Sequence, residues 1–413
     1  MPRVVHVGLG AFHRAHQAVY TEDAGWEVCA VAPRSAEVVR ALRERGHRYT
    51  LLVRDGERAT ARTISSIRAT LHAPTERDRV VAVLADPETT VVTLTVTEKA
   101  YRPGGAVVAL LAEGLAARAR KDAGPLAVVS CDNVPGNGRR LRELFQEYAG
   151  IGAEVTFPGT VVDRIVPAAT REDRELTGDP AVVVAEPYTH WVLEDGFPAA
   201  RPEWERGGAL FTADVTPHEQ AKIRILNGTH STLAYTGALI GHEHIATALA
   251  DPALEALAHR LTAEDVLPSL TPPDGLDLAV YTAAILARMR NTALRHRCAQ
   301  VAIDGSLKVP IRLLGTVRDR LAAGAHPRWA CLAVAAWLRH VRGGVDDRGR
   351  PLEVSDPLAD RLRSLPPEEA LRVPEVFGAD LPDEPAFTGQ VLADLRDLAR
   401  HGAAAVIRRE TTT

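Results

Sequence analysis

Within its first seventeen residues the chain sets a short apolar strand, Val4–Val7, directly before Gly8-Leu9-Gly10. A helical run follows, Ala11-Phe12-His13-Arg14-Ala15-His16-Gln17. No other stretch restricts the fold as strongly. A second strand over Trp26–Ala32 closes a β-α-β unit of the usual size. Glycines at such a turn let the backbone approach a pyrophosphate, and the helix N-terminus adds amide donors and a positive dipole. The third glycine of G-x-G-x-x-G is missing, because position 13 is His. The turn therefore fits a dinucleotide site or an ordinary tight turn of an α/β protein. In the first reading Gly8, Gly10, Phe12, His13 and Arg14 bind the cofactor.

An acid at the tip of the second strand would hold the adenosine ribose of NAD. The tip reads Ala32-Pro33-Arg34-Ser35-Ala36-Glu37, with no acid there, and Glu37 falls one turn into the next helix, facing solvent. Arg34 and Ser35 suit a 2′-phosphate. The cofactor is thus NAD or NADP.

Further strands are expected at Arg48–Val53, Val91–Val96 and Leu126–Ser130, with helices at Ala106–Lys121 and Gly138–Tyr148. This alternation predicts an α/β fold with a mostly parallel, doubly wound sheet that binds ligands beyond its strand C-termini. Two polar clusters fall at such ends, Thr97-Glu98-Lys99 and Ser130–Gly138. In the second, Asn133 is placed to donate its amide to a substrate oxygen, or else Asp132 and Asn133 cap the next helix. From about residue 216 the pattern turns helical, broken near Pro268–Gly275 and Gly343–Pro351, and the terminal Glu410-Thr-Thr-Thr413 is expected to fray. At 413 residues the chain exceeds one ordinary core. We expect a Rossmann-like dinucleotide-binding domain over residues 1–215 and a mainly helical substrate and catalytic domain over 216–413.

Composition narrows the class. A hydrophobic content of 46% with 25% charged residues suits a soluble globular protein, and a net charge of −4 gives no reason to expect nucleic acid or an acidic membrane as partner. Cys29, Cys131, Cys298 and Cys331 are scattered, as in a reducing compartment. No signal-peptide core opens the sequence, and no apolar run reaches the roughly 18 residues of a membrane span. A cytoplasmic enzyme acting on a small molecule, as monomer or homodimer, is expected.

The stretch HEQAKIRILNGTHSTLAY carries the candidate chemistry. On an α-helix, at about 100° per residue, Lys222 lies at 0°, Glu219 near 60°, His230 near 80° and Asn227 near 140°. One arc then presents an amine, a carboxylate, an imidazole and an amide, with Ile223 and Leu226 alongside. Polar residues at this spacing also make an ordinary solvated face. A lysine on a buried face is costly unless paired or deprotonated, and enzymes use that cost to build a general base.

The segment VTFPGTVVDRIVP (Val155–Pro167) closely resembles the signature of the mannitol dehydrogenase and fructuronate reductase family. GLGAFHRAHQAVY, TVTEKAY, SCDN, EPYTHWVLEDGF (Glu186–Phe197), KIRILNGTH and IDGSLKVP (Ile303–Pro310) resemble that family in the same order, over roughly residues 4 to 310. The resemblance implies a zinc-independent long-chain dehydrogenase for polyols or sugar acids, using NAD. It gives Lys222 the general acid/base role, Asn133 and Asn227 the polarisation of the reacting oxygen, and His230 substrate binding. Glu219 is then linked to proton exchange, and Arg288 and Lys308 contact substrate. The physical account agrees: amide donors and lysine meet the charge that builds on oxygen as hydride moves to or from the carbinol carbon.

The chain departs from the family between Tyr101 and Leu126, where many members are longer, and at Ser35 and Ala36, where many carry an acid after the arginine. D-mannonate/D-fructuronate is the expected pair, with Arg288 facing the carboxylate. Mannitol or arabinitol dehydrogenation is the alternative, and a catalytically silent nucleotide-binding protein is the remote one. Gly241-His242-Glu243-His244 resembles part of a zinc alcohol dehydrogenase, yet it follows the nucleotide domain and lacks the zinc cysteines. No catalytic metal is expected.

Overall fold

Val, Ile and Ala dominate the strands of the first half, and most of them are fully buried. In chain order the strands are β1 (Arg3–Val7), β2 (Glu27–Ala32), β3 (Tyr49–Asp55), β4 (Arg58–Ile64), β5 (Ile67–His72) and β6 (Thr89–Leu94). Then come β7 (Leu126–Ser130), β8 (Val155–Thr156), β9 (Thr160–Asp163), β10 (Val183–Ala185), β11 (His190–Glu194) and β12 (Leu210–Thr212). The computed structural model describes residues 3–97, 100–149 and 154–412. Two compact units divide the chain, Met1–Thr216 and Pro217–Thr413.

In the first unit six strands form a sheet in the order β5-β2-β1-β6-β7-β8, and every pairing is parallel. Alternation along each strand feeds two cores. Val4, Ala30, Val91 and Ala127 pack on one face with Ala18 and Tyr20; Val5, Val31, Val92 and Val128 pack on the other with Leu84, Leu110 and Phe145. The helices that cover these faces are α1 (Ala11–Ala15), α2 (Gln17–Asp23), α3 (Glu37–Glu44), α4 (Arg77–Leu84), α5 (Ala106–Arg120) and α6 (Asn137–Ala149). The order reverses between β1 and β6, which makes their C-terminal ends the switch point where such sheets bind ligands.

Two local expectations are corrected. The strand expected at Arg48–Val53 is present as β3, but it lies outside the main sheet. It pairs antiparallel with β4 across the two-residue turn Gly56-Glu57 and parallel with β10. A connection that short can only join antiparallel neighbours. The helix expected over Ala11–Gln17 breaks at His16 (φ −128°, ψ −90°) into α1 and α2. There the His16 ring enters the core, with Nε2 3.0 Å from the His190 carbonyl and its edge on Trp191.

A third sheet, β12-β11-β9, carries the signature segment. Arg164, just past β9, is buried and donates from Nε and Nη2 to the Glu186 carbonyl (3.1 and 3.0 Å) and from Nη1 to the Ala15 carbonyl. That guanidinium ties the sheet to the end of α1. A capping box at Thr170 and Asp173 starts the short helix α7 (Arg171–Thr177).

The second unit is helical. It runs from α8 (Thr216–Ala221) through a π-helix, Lys222–Gly228, into α9 (Thr229–Ile240), then α10 (Ile245–Leu249), α11 (Pro252–Arg260) and a second π segment, Leu261–Val266. Then follow α12 (Leu278–Met289), α13 (Cys298–Ala302), α14 (Gly305–Arg312), α15 (Leu314–Ala322) and α16 (Arg328–Gly343). Asp265 receives the first amides of α16, Trp329 (2.7 Å) and Ala330 (2.8 Å). Fraying is expected over residues 410–413, but residues 410–412 are helical, and Thr413 lies outside the described residues. Helix Ala403–Thr412 continues to Thr412, and the Glu410 carboxylate is gripped by Arg328 and Arg409, each at 2.8 Å. No helix among the described residues is long and apolar enough to cross a membrane.

Candidate active site

The glycine turn sits at the switch point. Gly8 has φ +117°, and a Cβ there would lie 2.1 Å from the Thr95 carbonyl oxygen, so only glycine lets β1 turn this close to the end of β6. Thr95 Oγ1 donates to the Gly8 carbonyl (2.8 Å), and His6 Nε2 lies 2.9 Å from the same hydroxyl. At Gly10 a Cβ would meet nothing nearer than the Gly8 carbonyl at 3.6 Å, leaving space beside the turn. No side chain caps α1. Backbone donors with room in front of them fit a dinucleotide phosphate.

His13, where the general G-x-G-x-x-G fingerprint places a third glycine, is buried. Its ring stacks on His6 with centroids 3.4 Å apart and planes 8° apart. Burial holds the His6 imidazole down at about 3 and pushes His13 well below its ordinary value, so both are neutral. A flat, uncharged ring from α1 thus packs on one from β1. Arg14 is also buried: Nη1 donates to the Ala181 carbonyl, and Nε to Gly10 at 3.3 Å. Phe12 is half-buried against His16, with ring centroids 5.0 Å apart. Arg34 is exposed just beyond β2, Ser35 Oγ accepts from the Glu37 amide (3.2 Å), and Glu37 is exposed at the start of α3. Of the sequence candidates, Gly8 and Gly10 shape the turn, whereas His13 and Arg14 support it from beneath.

At the end of β7, Asp132 does not cap α6. Its carboxylate accepts the amides of Val96 (3.0 Å) and Thr97 (2.9 Å) and the Tyr101 hydroxyl (2.8 Å), bracing the loop after β6. Asn133 beside it is exposed. Asn137, which sequence reasoning passed over, is buried and closes a two-way amide clamp on Thr160, donating to its carbonyl and accepting its amide, both at 3.0 Å. Glu98 and Lys99, named with Thr97 in the sequence, lie outside the described residues.

In the second unit the lysine segment departs from the helical wheel. Lys222–Gly228 is π-helical, so the i→i+5 spacing replaces the angles deduced for an α-helix. Lys222, Arg224, Ile225 and Leu226 are buried, Asn227 and His230 half-buried, and Glu219 half-buried one turn earlier in α8. Arg224 anchors the wide turn through Ser269 (2.8 Å to the carbonyl) and Asp319 (2.6 Å). At Gly228 a Cβ would stand 2.8 Å from the Arg312 carbonyl, so glycine lets the end of α14 press against the π turn.

Around His230 the second unit gathers positive charge. Burial lowers its imidazole to about 3, and His296, Arg312, Arg288 and Lys308 all push the same way. The His296 ring lies 5.5 Å from that of His230, and His230 Nε2 is buried with no hydrogen-bond partner among the described residues. Arg288 is buried at the end of α12. Lys308 Nζ donates to the Val301 (3.4 Å) and Ile303 carbonyls. Arg312, one helical turn on, donates to Ser231 Oγ at 2.9 Å. Arg312 and His296 were absent from the sequence candidates; the signal for Arg312 was its i+4 spacing from Lys308. A neutral imidazole amid cations suits an anionic, hydroxyl-bearing ligand.

His242 and His244 take ordinary positions, His242 Nε2 3.5 Å from Asp251 and His244 as the residue preceding α10. Among the described residues no group of three or more His, Cys, Asp or Glu is arranged for a metal ion. All four cysteines are free and buried.

The chain is similar to known proteins over nearly its whole length. Residues 2–206 match the Mannitol dehydrogenase Rossmann domain and 214–399 the Mannitol dehydrogenase C-terminal domain. The chain is 36% identical to D-mannonate oxidoreductase of Escherichia coli (strain K12), over 97% of this chain and 94% of that protein. It is also 36% identical to mannitol 2-dehydrogenase of Cereibacter sphaeroides, over 99% and 96%. Among solved structures, the ternary complex of Pseudomonas fluorescens mannitol 2-dehydrogenase with NAD and D-mannitol superposes with a TM-score of 0.83 at 31% identity, covering 100% of this chain and 94% of that one.

Proposed function

Because the chain belongs to the mannitol dehydrogenase family, and is thus an oxidoreductase acting on polyol or sugar-acid CH–OH groups, we propose that it is an NAD-dependent dehydrogenase of the sugar-acid type, joining D-mannonate to D-fructuronate. One observation carries the choice of an acid: Lys308 and Arg312 both bear on His230, beside the segment that holds Lys222 and Asn227, and no carboxylate among the described residues lies within ion-pair distance of Arg312. A neutral hexitol has no group to offset that charge; a carboxylate does.

In this reading Gly8 and Gly10, with Phe12 beside them, hold the dinucleotide, while His13 and Arg14 keep the turn in shape. The bound nicotinamide supplies or takes up the hydride. Lys222 moves the proton at the reacting oxygen, taking it from the alcohol during oxidation and returning it during reduction, with Glu219 as the route onward to solvent. Asn227 donates its amide to that oxygen as charge builds, and Asn133 has the same role. His230, neutral and with an open Nε2, binds a neighbouring hydroxyl and fixes which carbon reacts. The neutral-hexitol reading keeps all these roles, and equal identity to a mannitol 2-dehydrogenase favours it as the second choice. Arg34 beyond β2, with no acid there, favours NADP as the alternative cofactor.

Steady-state assays pairing NAD or NADP with mannonate, altronate, mannitol and arabinitol test the substrate and cofactor. Lys222→Ala should lower kcat roughly 10²- to 10⁴-fold or more while nucleotide affinity is kept. A variant that stays active overturns the assignment.

A further inference from the structure

Arg312 is a guanidinium of unusual standing. It is half-buried, and burial lowers its pKa from the ordinary arginine value. Its hydrogen-bond partner is a neutral hydroxyl, Ser231 Oγ, and among the described residues no carboxylate lies within ion-pair distance of it. Two other arginines of this unit are matched: Arg224 has Asp319, and Arg328 has both Asp394 and Glu410. The fold even brings a second cation beside it. Lys308 and Arg312 share one face of α14 at i,i+4, where like charges repel, while Leu307 and Ile311 take the exposed side.

The position of the side chain is fixed. Gly228 lets the Arg312 backbone seat against the π turn, and Ser231, the residue after His230, holds one guanidinium nitrogen. The remaining donors of the planar fork have no protein acceptor in the described structure. A guanidinium held in this way matches the two oxygens of a carboxylate, which a point-like lysine ammonium does not.

We propose that Arg312 is the residue that grips the substrate carboxylate and so sets the preference for a sugar acid over a neutral polyol. The assignment rests on the sugar-acid reading above, and it is separate from the proton chemistry of Lys222. Ser231 serves as the positioning residue for Arg312.

The test compares wild type, Arg312→Met, Arg312→Gln and Arg312→Lys on D-mannonate, its neutral amide D-mannonamide, and D-mannitol, with nucleotide affinity and thermal midpoint as folding controls. Arg312→Met should raise KM for D-mannonate roughly 10- to 100-fold, with kcat changed by less than about 3-fold and KM for the neutral substrates little changed. Arg312→Lys should recover part of the loss, and Arg312→Gln, which can keep the Ser231 bond, should behave like Arg312→Met if the latter folds poorly. Equal losses on acid and neutral substrates, or none, overturn the assignment; if wild type then still prefers D-mannonate, the sugar-acid reading stands without it. A wild type that oxidises mannitol and ignores D-mannonate overturns both.

Discussion

Gly8 shows how far one residue can decide a site. Its positive φ and its distance from Thr95 leave no space for a side chain. Gly8→Ala should destabilise the first unit by about 2 kcal/mol or more, combining backbone strain with a clash against main chain rather than a yielding side chain. Urea denaturation reads that loss, and nucleotide affinity should fall with it; a variant of unchanged stability would show that the turn relaxes without cost. His13 makes the converse point. It occupies a fingerprint position yet acts by stacking on His6. Spacing alone marks the position as a ligand contact; the ring's direction does not.

At the scale of elements, the π segment is what separates the lysine helix from a helical wheel. An α-helix puts Lys222, Asn227 and His230 on one arc by arithmetic, whereas the structure has Lys222–Gly228 in a wider turn braced by Arg224 and seated on α14. Helix propensity favours the ordinary turn, so tertiary contacts must stabilise the rarer one. Gly228→Ala probes this contact. Glycine to alanine within a helix is normally favourable, but here the added methyl meets the Arg312 carbonyl at 2.8 Å. The variant should lose about 1–3 kcal/mol of stability and should raise KM more than a surface glycine change does. A stabilised Gly228→Ala protein would mean that α14 shifts freely.

Several histidines among the described residues are buried and neutral. His6, His16 and His230 are each lowered to about 3 and His340 to about 4, against an ordinary value of 6.5, chiefly by burial. Because the folded values lie below the unfolded one, the unfolded chain binds protons first as pH falls. Stability is therefore full above 6.5 and is lost as pH drops from there towards 3 or 4. His6 and His16, both fully buried, each contribute a slope of up to about 1.4 kcal/mol per pH unit in that window. The urea midpoint should fall between about pH 7 and pH 5, and a flat profile would contradict neutral burial.

By itself the sequence determined the class of fold and the chemistry available. The short, nearly continuous apolar runs of β1, β2, β6 and β7, the glycine turn, and the ordered family segments are local, and local patterns are legible without a structure. What only the tertiary structure decided were the relations between distant residues. It moved β3 out of the main sheet, turned Asp132 from a helix cap into a brace for the loop after β6, and closed the C-terminal helix onto Arg328. Above all it set Arg312 beside Ser231 across 81 residues of chain. Nothing in local propensity encodes that meeting, because it depends on Gly228 allowing two backbones to touch, which seats a half-buried guanidinium that no carboxylate among the described residues pairs.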